Sequence, residues 1–296
     1  MVKSQRPIDV FVDVLIYTAV IVASFLCLVP LLNTLALSFS SSIMAASGTV
    51  SFWPKQFTLA AYEAIVAERQ FFGAFWISIK RVLLGGAINF VMMILCAFPL
   101  AHDEKTFKGR NLYMYVLIFT MLFSGGLVPS YILISKLGLM NSIWALVLPG
   151  AVPVWNSILL MNFFRSLPVE LEEAAIIDGA VPFQILLRVY LPVSLPALAT
   201  VMLFSLVGHW NEFFSGLIYM NHSDNYPLAT YISTIVDSAK DLNLITDPEE
   251  IERIMKVSER NMSSAKIFVS MIPVLMIYPF LQRYFVTGIV LGSVKG

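Results

Sequence analysis

The sequence predicts an all-α membrane protein: six transmembrane helices and one polar helix outside the bilayer. Three observations predict it. Hydrophobic residues make up 58% of the 296 positions and charged residues 13%, about half the charge of a soluble globular chain, too little to cover a surface against water. Runs almost free of charge, close to the roughly 20 residues that cross a bilayer core, recur six times. Between the fourth and fifth stands an acidic stretch, EEAAIIDGA, residues 172–180, which ends in glycine and alanine.

Each run must be helical, because lipid cannot satisfy an open backbone. The first lies within 14–38. Lys3 and Arg6 precede it as they would in a signal peptide, but it is longer than such a peptide's apolar core and no convincing cleavage site follows. It reads as a retained span. The second is 82–101, between Arg81 and His102, the third 111–135 and the fourth about 143–164. The fifth runs over about 192–219 with Glu212 inside it, and the sixth over about 267–289, interrupted by Arg283. Counting all 19 Lys and Arg leaves the orientation open, but short loops carry more weight. HDEKTFKGR, 102–110, holds three basic residues and KLGLMNS, 136–142, one, which puts both termini in the cytoplasm.

A net charge of zero gives no footprint for nucleic acid. Cys27 and Cys96 lie in apolar runs and read as small buried hydrophobes. The chain reads as one membrane domain, 1–296, with no long linker and no internal repeat, which argues against an inverted-repeat transporter. The outer loop 39–71 contains FWPKQFTLAAYEAIV, a Trp-Pro pair followed by an amphipathic pattern. The large outer loop, 220–265, contains DPEEIERIMKVSER, where Asp247 suits an N-cap, Pro248 the first helical position, and Glu249 and Glu250 the first turn. That helix reads either as solvated or as a docking surface for an external partner.

Residues 165–191 form the polar segment on the cytoplasmic side. Ser166 suits a cap, Pro168 the first turn, and Glu170, Glu172 and Glu173 complement the positive helix start. Leu171, Ala174, Ala175 and Asp178 fall on one face, mostly small, which favours close approach by another protein. Gly179 suits the left-handed residue that ends a helix, and Pro182 opens a second short helix, 183–191, carrying Arg188. On physical grounds an ordinary helix–turn–helix loop remains the alternative.

EEAAIIDGA followed by LPVSLP resembles the EAA signature of the membrane subunits of binding-protein-dependent ABC importers. FWPKQFTLAAY, SGGLVPSYILISKLGLMNSIWALVLPGAVPVWN, GHWNEFFSGLIYM with YPLAT, and IYPFLQRYFVTGIVLGSVKG are similar to the maltose-type carbohydrate permeases, closest to the branch for complex oligosaccharides, the alginate oligosaccharide importer among them. The resemblance covers nearly the whole chain. It implies the type I ABC importer permease fold, with 165–191 as a coupling helix segment in a groove of a cytoplasmic ATPase. Glu173, Ala174, Ala175 and Gly179 match the signature, and Glu172 and Asp178 flank it. It also implies a second, related permease, two ATPase subunits that hold ATP and magnesium, and an extracytoplasmic binding protein against loop 220–265. The bacterial inner membrane, both termini in the cytoplasm and a tail GSVKG reaching toward the ATPases follow from it too. This chain itself is expected to bind no cofactor.

Several residues are candidates for a sugar pathway. A carboxylate at the depth of Glu212 must face water or a partner. Trp210 and Asn211 beside it suit a sugar ring, but successive residues stand about 100° apart on a helix, so at most two of the three can line one route. Asn156 and Tyr131 are further candidates in the fourth and third spans. The competing reading has Glu212 and His209 merely holding helices together. Lys80 and Arg81, after Trp76, either snorkel to headgroups or attract an anionic sugar. No G-x-x-x-x-G-K-[ST] and no H-E-x-x-H occurs, and His102, His209 and His222 form no metal pattern. A secondary sugar transporter and, on Ser205 and His209 at i and i+4, an intramembrane hydrolase are the alternatives.

Overall fold

In a computed structural model the described residues are 7–241 and 259–293, with side chains described for 8, 10–235 and 260–277. The described residues are helical without strands. They group into two compact units, one of residues 1–69 with 234–271, the other of 70–233 with 272–296.

In the first unit the opening helix α1, Pro7–Ser38, carries the first span, and every described side chain up to Leu28 is exposed. Cys27 lies on that exposed stretch, so it is not the buried hydrophobe its neighbours suggest. After α1 come the short helices α2, Ser42–Ala46, and α3, Ala60–Ala67. The FWPKQF stretch is folded back by hydrogen bonds: Ser41 N–H donates to Lys55 O, Lys55 N–H to Ser40 Oγ and Thr58 N–H to Phe39 O. Phe39 stacks on Phe57 and Tyr62. Asn261 donates to Ser40 O, and Lys266 pairs with Glu68.

In the second unit the breaks in the spans matter as much as the spans. Helix α4, Arg69–Ala101, carries the second span but begins well before residue 82. Lys80 and Arg81 therefore lie inside it, and the boundary drawn at the first charge is corrected. The third run is two helices, α5, Arg110–Leu122, and α6, Leu127–Lys136, that meet at 110°. Gly126 has φ +87°, a left-handed conformation that a continuous helix cannot contain. The fourth run starts as α7, Ile143–Val147, passes a 3-10 turn, Leu148–Gly150, and resumes as α8, Val154–Arg165, bent by 44°. Pro149 and Pro153 remove the donors that would continue the ladder.

The polar segment is α9, Val169–Ile177, then α10, Pro182–Ile185, a π-turn, Leu186–Tyr190, and α11, Leu191–Val193. The fifth run is helical as α12, Leu195–Asn211, set at 84° to what precedes it. It stops at Glu212 and resumes as α13, Phe214–Tyr219. Within 220–265, Leu228–Asp241 is helix α14. Asp247, Pro248, Glu249 and Glu250 lie outside the described residues, as do the tail after Ser293 and the side chain of Arg283. The sixth run lies on α15, Glu259–Ser293. Among the described residues, two helices alone are long and apolar enough to cross a membrane, or five if each bent pair is one span.

Helices α4 and α12 meet closely. A Cβ on Gly85 would lie 2.5 Å from His209 Nε2, and one on Gly86 2.6 Å from Leu206 Cδ2. Gly208, on α12 itself, would meet nothing within 4 Å. We expect Gly85→Ala to lower stability by about 1–3 kcal/mol through overpacking. Gly208→Ala gains about 0.5–1 kcal/mol of helix preference. The two thermal midpoints in detergent should therefore move in opposite directions; equal shifts would refute the close approach.

Candidate functional site

A cavity of about 520 Å³ opens between these elements of the second unit. Its polar wall comes from regular spacings on two helices. Arg81, Gly85 and Asn89 are four residues apart along α4, so they share a face. Ser205, His209 and Glu212 fall on one face of α12 and its end. Asn156 comes from α8 and Ser215 from α13, while Phe204 and Tyr219 supply aromatic wall.

The bonds across the wall explain why these groups tolerate the interior. Asn89 Nδ2 donates to Gly150 O at 2.7 Å and Ala151 O at 3.0 Å, two carbonyls beside the break in the fourth run. Its Oδ1 meets His209 Nε2 at 2.9 Å, so that nitrogen carries the hydrogen. Arg81 does the same for the break in the fifth run. Nη1 donates to Glu212 O at 2.8 Å, and Nη2 pairs with the Glu212 carboxylate and donates to Ser215 Oγ. Ser215 returns both its N–H and its hydroxyl to that carboxylate. Arg81 is 3% exposed and Glu212 36%, so the cation stands behind the anion and the carboxylate faces the cavity. Arg81 does not snorkel. Lys80 stands over the Trp76 ring at 5.8 Å.

Of the candidates read from sequence, Asn156 and Glu212 line this cavity. Asn156 donates to Val201 O and to Ser205 Oγ at 3.0 Å. Trp210 is buried edge-on against Phe75 and lines a separate 60 Å³ pocket with Pro273 and Ile277. Asn211 is exposed and Tyr131, on α6, half-exposed; neither lines the cavity. Ser205 is bonded to Asn156 and His209 to Asn89, so the pair is not a nucleophile–base couple. Arg81 was singled out, with Lys80, as either a snorkelling membrane-edge charge or a pathway charge for an anionic sugar, and Asn89 and Ser215 not at all. The signal for Arg81 and Asn89 was the four-residue spacing through Gly85.

The polar helix α9 has two distinct sides. Pro168, not Ser166, stands at its N-cap, and Ser166 Oγ instead donates to Phe163 O of α8. It ends as expected: Gly179 has φ +81°, its N–H reaches Ile176 O, and Ala180 N–H reaches Ala175 O, a Schellman closure. Glu172 faces inward. Its Oε1 meets His102 Nε2 at 2.9 Å and its Oε2 accepts from Tyr190 Oη at 2.6 Å. Burial first, then Glu172, push the Tyr190 phenol up from its ordinary value, so it stays a donor. Ala175 packs inward beside it. Glu173, Ala174, Asp178 and Gly179 are exposed. The outward side is not mostly small, as the spacing suggested: Ile176, Ile177, Val181 and Phe183 stand out, Ile177 at 85% exposure. No group of three or more His, Cys, Asp or Glu that could hold a metal occurs among the described residues.

Residues 71–291 match the model of the family described as binding-protein-dependent transport system inner membrane component. The chain is 35% identical over 284 residues to the polygalacturonan/rhamnogalacturonan transport system permease protein YtcP of Bacillus subtilis, covering 96% of this chain and 98% of that protein. It is 29% identical over 282 residues to the arabinooligosaccharides transport system permease protein AraQ of Halalkalibacterium halodurans, covering 92% of this chain and 93% of AraQ. A chain of a crystal structure of a bacterial ABC transporter involved in the import of the acidic polysaccharide alginate superposes with a TM-score of 0.83 at 26% identity, over 95% of this chain and 99% of that one. The chain therefore belongs to the binding-protein-dependent transport system inner membrane components, with their permease fold.

Proposed function

We propose that this chain forms, with a second related permease, the membrane pathway of an oligosaccharide ABC importer, and couples passage to ATP hydrolysis in two separate ATPase subunits. Those subunits hold ATP and magnesium; this chain holds neither. An extracytoplasmic binding protein delivers the sugar on the side of loop 220–265, and both termini lie in the cytoplasm of a bacterial inner membrane. The oligosaccharide class is supported by the named cargoes of the relatives. The observation that carries the coupling reading is α9. It is held from below by Glu172 and presents Ile176, Ile177, Val181 and Phe183 outward beside Glu170 and Glu173. An apolar patch with a charged margin is the anatomy of a protein interface. Glu173, Ala174, Asp178 and Gly179 belong to that outward side, while Glu172 and Ala175 seat the helix. For the pathway, Asn156 and Glu212 are the supported lining residues. Trp210, Asn211 and Tyr131 belong instead to packing or to surfaces away from the cavity.

Vesicles containing both permeases, the ATPases and the binding protein test the reading with oligogalacturonate and arabinooligosaccharide as probes. Uptake of one of them should require ATP inside. Uptake driven by an ion gradient without ATP would make the protein a secondary transporter, and sugar cleavage without partners a hydrolase. Gly179→Val forces a β-branched residue into the left-handed region at about 1–3 kcal/mol. We expect it and Glu173→Lys to cut uptake by about tenfold or more with membrane insertion intact. Normal uptake and normal ATPase co-purification in both would remove α9 from the interface.

The cavity gives a separate expectation. Glu212→Gln leaves the Arg81 guanidinium buried without its counter-charge, at somewhat less than the roughly 3–5 kcal/mol of a fully buried pair, since Glu212 keeps part of its side chain open. The double variant Arg81→Met/Glu212→Leu removes the unpaired charge but leaves Glu212 O without its donor, so it should recover only part of that thermal stability and not transport. Recovery of both would reduce the pair to a helix fastener.

A further inference from the structure

Glu172 stands where three segments meet. His102 is the first residue after α4, whose middle carries Arg81 and Asn89. Tyr190 closes the π-turn that leads into α11 and α12, and α12 carries Ser205 and His209 to Glu212. One carboxylate on α9 thus bonds the residue after α4 at 2.9 Å and, at 2.6 Å, the residue that closes the π-turn, five positions before α12 begins.

The cluster is built to hold one position. The second ring nitrogen of His102, Nδ1, lies 2.9 Å from Phe98 O, so both ring nitrogens face acceptor oxygens. Phe98 and Phe164 pack edge-on against Tyr190 at 5.1 and 5.3 Å between ring centroids, and Phe98 also packs edge-on against His102. Arg110 Nε donates to Leu100 O and Arg165 Nε to Ala101 O, so the end of α4 is fixed by cations from α5 and α8 as well. Glu172 and Tyr190 are the contacts in this cluster that come from α9 and the π-turn. A π-turn and the 84° bend beside it are backbone forms that rearrange locally without unravelling a whole helix.

We propose that Glu172 is a positioning residue that transmits displacement of α9 to both cavity walls at once, through His102 to α4 and through Tyr190 to α12. Glu172 does not touch the ATPase in this assignment. It sets what the cavity does when the outward side of α9 is moved. This rests on the coupling reading of α9, so the test reports docking and transmission separately and needs no identified sugar.

The full importer, with Cys27 and Cys96 replaced, carries Phe204→Cys in the cavity wall. Its labelling by a water-soluble maleimide is compared with and without vanadate trapping of ATP. In the parent, trapping should change the labelling rate severalfold. In Glu172→Gln and in Tyr190→Phe, which loses one hydroxyl, that change should shrink to less than twofold while the ATPases co-purify at the parent level. The combination of the two should be no worse than Glu172→Gln alone, because Tyr190→Phe removes one of the two bonds that the Glu172 carboxylate makes. Unchanged dependence on trapping in Glu172→Gln overturns the proposal. So does loss of ATPase co-purification, which would make Glu172 a docking residue, and so does a strictly additive double variant. Normal co-purification in both Gly179→Val and Glu173→Lys marks failure of the coupling reading itself.

Discussion

A backbone carbonyl inside a bilayer has no water to turn to, and each one left open costs several kcal/mol. This chain breaks helices at that depth, between α7 and α8 and between α12 and α13, so it must supply donors from elsewhere. Asn89 supplies them to Gly150 and Ala151, and Arg81 supplies one to Glu212. Both come from the continuous helix α4, whose own ladder has no such break in that region. The unbroken helix is what makes the broken ones tolerable, and the polar cavity is the space where they meet.

The electrostatics follow from that arrangement. Arg81 is committed to the carbonyl of Glu212, and a guanidinium buried there needs an anion. The carboxylate of the same residue provides it, with Ser215 filling its remaining acceptor sites. One residue thus offers both the orphan carbonyl and the counter-charge. The carboxylate, partly exposed at the cavity wall, stays paired with that cation, so the two bring no net charge into the membrane. The close approach of α4 and α12 at Gly85 puts His209 in reach of Asn89, which joins the two fastenings into one wall.

Much of this was legible in the sequence. The six apolar runs, the helix at 169–177 and its left-handed Gly179 all follow from composition and turn chemistry. Breaks were harder. SGGLVP and LPGAVP carry the glycines and prolines that break helices, yet both are apolar enough to pass as parts of spans when only charge is counted. The same criterion cut the second span at Arg81, since a charge looks like a membrane edge until its partner is known. That partner lies 131 positions away, and spacing within α4 does not reveal it. Trp210 was a pathway candidate by residue type, under the limit that at most two of 210–212 could line one route, and its position on the helix turns it toward Phe75. The helical step limits how many of the three share a face but does not say which face looks into the cavity.

The two sides of α9 show why a signature reads as one motif but works as two. Glu172 and Glu173 are neighbours of the same chemistry, yet a helical step of about 100° sends one carboxylate inward and the other out. The inward one is satisfied by His102 and Tyr190, and its desolvation is offset there by two short hydrogen bonds. The outward one remains solvated and free to meet charge on another protein. Ala175 divides from Ala174 in the same way: the inner methyl permits close seating on the core, and the outer one keeps the surface low between Ile177 and Leu171. A polar helix of nine residues is too short to persist by itself in water. It persists here because its inner side is bonded and its end is closed at Gly179.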